Sequence, residues 1–267
     1  MRQIWHIAVA VFRESVRDRV PYAMVMFAVL LMAASFLISQ LTAGQDLKII
    51  KDLGLAALSI FGLMIAVFLG IGLVSKEVER KSIFGLLSKP ITRTQFILGK
   101  YAGLLATLVI NLGVMTLALY AVLFYMNLTA GAERQAWPAP AMDPRLLIAV
   151  VLIVGEIAII TAVALFFSTF SSPLLSALLT LGLWVAGHFN ADLRNFGTVV
   201  DSAPIVALAR ALYYVLPNLA PFDVKAEVVH GLPVAMRHVG LTLLYAVVYL
   251  SVVLTAAVAI FRRRDFK

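Results

Sequence analysis

Residues 53–74 read LGLAALSIFGLMIAVFLGIGLV, from Leu53 to Val74 with no charge inside. A helix crossing the ~30 Å hydrocarbon core of a bilayer needs about 20 mostly apolar residues. This run is long enough. It is followed at once by Ser75-Lys76-Glu77-Val78-Glu79-Arg80-Lys81, which takes the chain back into water. A run of this length with so abrupt a polar boundary is a membrane span, and it sets the fold class.

Working outward, five more stretches have the same character. They are Pro21 to Leu41, Phe96 to Leu128 (interrupted by Lys100), Leu146 to Phe170 (with Glu156 inside), Leu174 to Phe189, and Val239 to Phe261. The fifth in chain order is the shortest and is set off from the fourth by Ser171-Ser172-Pro173. The chain therefore reads as an all-α polytopic membrane protein, one transmembrane domain over residues 1–267 with six transmembrane helices. Composition agrees. Of the 267 residues 62% are hydrophobic and only 13% charged, and the mean hydropathy is +0.98. A soluble domain is nearer half apolar and a quarter charged, so one globular core is excluded, as is disorder. There is no cysteine, which removes disulfides, thiolate metal sites and cysteine nucleophiles.

The net charge of +8 is read against this topology. Fourteen of the 22 Lys and Arg fall on one side: Arg2, Arg13, Arg17, Arg19, Lys76, Arg80, Lys81, Lys89, Arg93, Lys100, Arg262, Arg263, Arg264 and Lys267. The positive-inside rule then places both termini in the cytoplasm, which an even span count requires. The basic excess is thus a topology signal, and no nucleic-acid partner is expected. A multi-pass protein of a bacterial inner membrane fits. The first apolar run is broken by Arg13, Glu14, Arg17, Asp18 and Arg19, and the next is too long for a signal-peptide core, so no cleaved signal is expected.

Residues 2–19 read as an amphipathic helix. At about 100° per residue Gln3, His6, Arg13, Glu14 and Arg17 share a polar arc, while Ile4, Trp5, Ile7, Ala8, Val11, Phe12 and Val16 fill the rest. Either this flank only anchors the topology, or it is an elbow helix in the inner interface. An apolar face bearing Trp, opposite Arg, suits the interface.

The segment 76–91 is the most informative. Its charged first half stays out of lipid, whereas Ile83, Leu86 and Leu87 lie at i, i+3 and i+4 and make an apolar stripe on a short helix. Pro90 ends that helix. Thr92 with Gln95 three residues on is a capping-box pattern that starts the next one. From Arg93 to Met126 that helix would be about 50 Å long, more than the bilayer takes up, so it should project or tilt. A projecting span beside a short apolar helix is a docking surface.

Among the remaining segments, the loop from Thr129 to Pro144 carries Pro138, Pro140 and Pro144, with Trp137 expected at the interface. Residues 203–217 are apolar except for Arg210 and end in Leu212-Tyr213-Tyr214-Val215-Leu216-Pro217. They are too few to span, so an outer re-entrant or interfacial helix is expected.

No phosphate-binding loop, zincin motif or nucleophile elbow is present. His188 with Asp192, and His230 with His238, are scattered, and no metal site is expected. Glu156 is the one carboxylate within a span. An ionisable group there is a functional candidate by default, either as a neutral acid bonded to a neighbouring helix or as part of a polar pathway with Asn111 and Thr161.

These segments resemble the permease subunit of type-2 ABC exporters, closest to the branch containing the permease for copper-site maturation of nitrous oxide reductase. The resemblance rests on Glu77-x-Glu79-Arg80-Lys81-Ser82-Ile83, Leu86-Leu87-Ser88-Lys89-Pro90-Ile91-Thr92-Arg93 and Gln95-Phe96-Ile97-Leu98-Gly99-Lys100-Tyr101. Weaker support comes from Phe167 to Pro173, Leu216-Pro217-Asn218 and the tail Phe261 to Phe266. It implies an amino-terminal elbow helix, a cytoplasmic coupling helix between spans two and three, and a homodimer with two separate ATPase subunits that bind ATP and Mg. The chain itself would be no enzyme and would bind no cofactor. Glu77, Glu79, Arg80, Lys81, Ile83, Phe84, Leu86, Leu87 and Pro90 would contact the ATPase. Leu212, Tyr213, Tyr214 and Pro217 would belong to an outer gate. Periplasmic partner proteins would meet only short outer loops. Two rival readings are a proton-coupled secondary transporter using Glu156 and a non-transporting membrane scaffold.

Overall fold

The computed structural model describes residues 2–17, 19–39, 46–79, 92–129, 139–190 and 202–263. Among them every regular element is helical. In chain order these are α1 (Arg2–Arg17), α2 (Arg19–Ser39), α3 (Asp46–Glu79), α4 (Arg93–Thr129), α5 (Leu146–Ser168), α6 (Pro173–His188), α7 (Ala203–Val215), a 3-10 turn (Ala220–Phe222), α8 (Lys225–Val229) and α9 (Met236–Arg263). Most of segment 76–91, from residue 80 on, lies outside the described residues.

Four helices are long and apolar enough to cross a membrane: Leu47–Gly72 within α3, Arg93–Thr129, Leu146–Ser168 and Met236–Arg262. A fifth crossing arises if Pro204–Val215 and Ala220–Val229, bent by 45°, count as one span. The sequence pointed to six. The difference lies in α2, whose described apolar part is Met24–Ala34, and in α6. With 16 residues α6 is about 24 Å long, short of the ~30 Å core. The bend falls in the region expected to hold a re-entrant or interfacial element. Leu117, Leu174, Leu178, Leu244 and Val252 are among many large apolar side chains exposed on the bundle surface, which is the surface a lipid solvent calls for.

Helices α3 and α5 form the centre, with 72% and 67% of their spans buried, against 39% for α4 and 17% for α9. Their buried sides are apolar, with Leu55, Leu58, Ile65, Ile153, Ile157 and Ile160 fully or almost fully buried, and they meet where Gly62 faces Ile157 and Gly70 faces Ala164. In lipid backbone polar groups must be satisfied internally, and several helical threonines satisfy their hydroxyls locally. Thr107, Thr116, Thr161 and Thr180 each donate to the carbonyl four residues back.

The α3 helix is longer than the apolar run that announced it, because helix formation does not stop at a charge. It takes in Lys51, which is buried and donates from Nζ to Pro140 O at 2.8 Å. Around it the loop before α5 is tied down. Tyr120 Oη donates to Asp143 O at 3.0 Å, Arg145 N to Asp143 Oδ1 at 2.9 Å, and Arg145 Nη1 to Gly231 O at 2.6 Å. Gly231 follows α8 with φ 71°, the left-handed conformation that glycine accepts without a Cβ penalty. This end of the bundle therefore gathers the loops, and the opposite end gathers the basic residues.

Candidate functional site

At the basic end the base of α4 is built in three layers. The reciprocal capping box forms: Gln95 N donates to Thr92 Oγ1 at 3.3 Å and Thr92 N to Gln95 Oε1 at 3.1 Å. Next, Arg93 Nη1 donates to Phe261 O at 3.0 Å and Arg262 O at 2.8 Å. These are last-turn carbonyls of α9, which lack intrahelical partners, and a cation suits the negative end of that helix. The rings of Phe96 and Phe261 stack with centroids 5.7 Å apart, and the buried Lys100 ammonium lies 4.9 Å from the centre of the Phe96 ring.

The third layer is α1. It runs beside α4 in the same direction, Ile4 and Ile7 at Gly99 and Ala8 and Val11 at Gly103. A Cβ on Gly99 would sit 2.7 Å from Ile7 Cβ, and one on Gly103 2.6 Å from Ala8 O. Helix α1 is thus anchored on a neighbouring helix, with Trp5 left exposed. Gly99-x-x-x-Gly103 is a small-x-x-x-small pattern of the kind that lets membrane helices approach closely. It was available in the sequence.

Of the expected ATPase contacts, Glu77 and Glu79 lie in the last turns of α3. Arg80, Lys81, Ile83, Phe84, Leu86, Leu87 and Pro90 fall outside the described residues.

The second place is around Glu156, which is 1% exposed. Its Oε1 accepts Trp184 Nε1–H at 2.6 Å and lies 3.6 Å from His188 Nε2. Trp184 and His188 are one turn apart on α6, their rings edge-on at 4.7 Å. His188 Nδ1 is 3.0 Å from Trp184 O. A carbonyl only accepts, so Nδ1 carries a hydrogen, and Nε2 presents either a lone pair or a second N–H to the carboxyl. At 3.6 Å the two side chains face each other at ion-pair range, beyond the length of a direct hydrogen bond. Glu156 Oε2 is buried with no hydrogen-bond partner. The site is roofed by the 3-10 turn: a Cβ on Gly155 would meet the Phe222 ring at 3.1 Å and Leu243 at 3.3 Å. Such a cluster can hold and exchange a proton. No group of three metal-ligating residues occurs among the described residues.

Asn111 and Thr161 are not brought to Glu156 by any hydrogen bond. Asn111 Nδ2 donates to Thr107 O at 2.9 Å and the Thr161 hydroxyl to Ile157 O, each within its own helix. His188 was first noted beside Asp192; the structure turns it to Glu156, and Asp192 lies outside the described residues. The expected outer gate is pinned to α6. Asn190 Nδ2 donates to Tyr213 O at 3.3 Å and Leu216 O at 3.2 Å, and Leu219 N to Gly187 O at 3.0 Å. Pro217 is buried there, Tyr213 is half-buried, and Leu212 and Tyr214 are exposed. Sequence reading missed Trp184 and Lys51 as partners of anything. Neither carries a local signal.

The described residues thus form a helical membrane bundle with a buried carboxyl cluster around Glu156 and a capped, basic base. The chain belongs to the ABC-2 family of transporter proteins, whose family model matches residues 5–266. No curated protein matches the chain. Membership implies an ABC ATPase as partner and a membrane as setting.

Proposed function

We propose that this chain is the permease subunit of an ATP-driven ABC exporter in a bacterial inner membrane. It works as a homodimer with two separate ATPase subunits, both termini in the cytoplasm. In this reading the chain crosses six times, with α2 and α6 as the two crossings that length and composition alone leave out. It exports a substrate or passes ATP-driven motion to partners on the outer side. Within the family, the motif from Glu77 to Tyr101 favours the branch of the nitrous oxide reductase maturation permease.

The observation that carries the proposal is the base of α4. A helix of 37 residues, about 55 Å long, starts in a formed capping box directly after the segment with the apolar stripe Ile83, Leu86 and Leu87. Through Arg93 and Phe96 it grips the end of α9, and through Gly99 and Gly103 it grips α1. A push on residues 80–91 would move three helices as one body. Arg80 and Lys81 would add charged contacts at the rim of the ATPase groove. The test is Leu86→Asp: an ATPase subunit that purifies stoichiometrically with the wild-type chain should be lost. Unchanged co-purification would sink the docking assignment.

Glu156 favours a second reading, a proton-coupled carrier, because a carboxyl buried within a span faces the imidazole of His188. Transport driven by an imposed proton gradient in ATP-free vesicles would select it. Dependence on ATP with no response to the gradient would reject it.

A further inference from the structure

At the loop end of the bundle, between α9 and the turn that follows α7, is a half-open cavity of about 260 Å³ lined by Asn218, Pro221, His238, Leu241, Thr242 and Tyr245. Its polar atoms are set by fixed partners. Asn218 N donates to Tyr245 Oη at 2.8 Å, which leaves the phenolic hydrogen for another acceptor. His238 Nε2 is 2.9 Å from Pro221 O and so donates, leaving the Nδ1 lone pair free. Thr242 is 5% exposed, yet its hydroxyl makes no hydrogen bond within the described residues. That departs from Thr107, Thr116, Thr161, Thr180 and Thr255, all bonded to the carbonyl four residues back.

The cavity thus mixes hydroxyl donors with unfilled acceptors and has no Lys, Arg, Asp or Glu in its lining. A phosphate or carboxylate would call for Arg or Lys. A group bearing several neutral hydroxyls matches donor for acceptor. The volume is just under the ~300 Å³ at which pockets begin to take whole ligands, so one sugar-sized group fits and little else. Directly along α9 from the cavity run Leu241, Leu244, Val248 and Val252, one helix face with every side chain more than half exposed. A polar cup at the head of an exposed apolar strip on a membrane helix has the shape of a lipid.

We propose that this cavity seats the uncharged polyol headgroup of a lipid in the leaflet at the loop end, with its acyl chains on Leu241, Leu244, Val248 and Val252. The test uses the full chain in phosphatidylcholine nanodiscs doped with either monoglucosyl diacylglycerol or plain diacylglycerol, with bound lipid counted by native mass spectrometry. The wild type should retain the glucosyl lipid over diacylglycerol. Thr242→Val should lower retention about fivefold, the loss of one net hydrogen bond, and Thr242→Ser should restore it. Tyr245→Phe, which removes the phenolic hydrogen left over by the bond from Asn218 N, should act like Thr242→Val, so the test survives if one variant fails to fold. Equal retention of the two lipids, or a folded Thr242→Val that binds as the wild type does, overturns the site. Displacement of the glucosyl lipid by free methyl glucoside at equal concentration assigns the cavity to a soluble sugar and overturns the lipid.

Discussion

The contact between α1 and α4 can be broken by a single methyl group. On Gly103 a Cβ would lie 2.6 Å from Ala8 O, 2.7 Å from Val11 Cβ and 2.8 Å from Val11 Cγ1, whereas ordinary contact begins near 3.4 Å. Ala8 O is backbone and Val11 Cβ is rigidly attached to it, so neither can swing aside. The whole of α1 must retreat by most of an ångström. Overpacking of this kind costs about 1–3 kcal/mol, and every 1.4 kcal/mol is about tenfold in an equilibrium, so Gly103→Ala should raise the open population of α1 roughly 5- to 150-fold. The chain has no cysteine, so Val11→Cys gives a single thiol at a position 4% exposed, and its maleimide labelling rate reads the opening. The control is Gly113→Ala on the same helix, where nothing lies within 4 Å of the added carbon and the higher helix propensity of alanine should leave labelling unchanged or slower. Equal labelling in the Gly103→Ala and Gly113→Ala backgrounds would refute the claim that α1 is held by close approach.

Arg93→Ala removes two hydrogen bonds to last-turn carbonyls of α9, and amide exchange over the final turns of that helix should speed up by about tenfold, consistent with ~1.5 kcal/mol at a partly exposed charged site. Lys51→Met deletes the tie to Pro140 O and should expose the loop before α5 to limited proteolysis, while Lys51→Arg should protect it better than Lys51→Met. Glu156→Ala leaves the Trp184 indole N–H and His188 facing a cavity and should lower the melting temperature, whereas Glu156→Gln keeps an acceptor for Trp184 and should melt near the wild type. If the two variants melt alike, the Trp184 bond contributes nothing.

Much of the scaffold is legible in local sequence because its determinants are local. The span at Leu53 to Val74 is a run of one polarity. The capping box needs only Thr92 and Gln95, three residues apart, and both of its bonds form. Pro173 opens α6 at its first position, where the missing N–H costs nothing. The interior site was half legible. A lone carboxylate in an apolar run is conspicuous, but its partners Trp184 and His188 lie on another helix, 28 and 32 positions on, and a tryptophan in a membrane helix reads as one more apolar residue. Lys51 falls outside the apolar run because a hydropathy window ends where polarity begins, while the helix starts earlier, at Asp46. The signal for α1 lies in the four-residue spacing of Gly99 and Gly103, which neither glycine carries alone.

The grip of Arg93 on α9 also fixes an order of biogenesis. The two ends of that contact are 168 residues apart in the chain, and ribosomes add about 5–20 residues per second. For roughly 8–30 s after Arg93 has been made, the carbonyls it will bind do not yet exist. The foot of α4 is therefore completed last, when the final helix inserts, and a chain truncated before Phe261 would leave that foot unfinished.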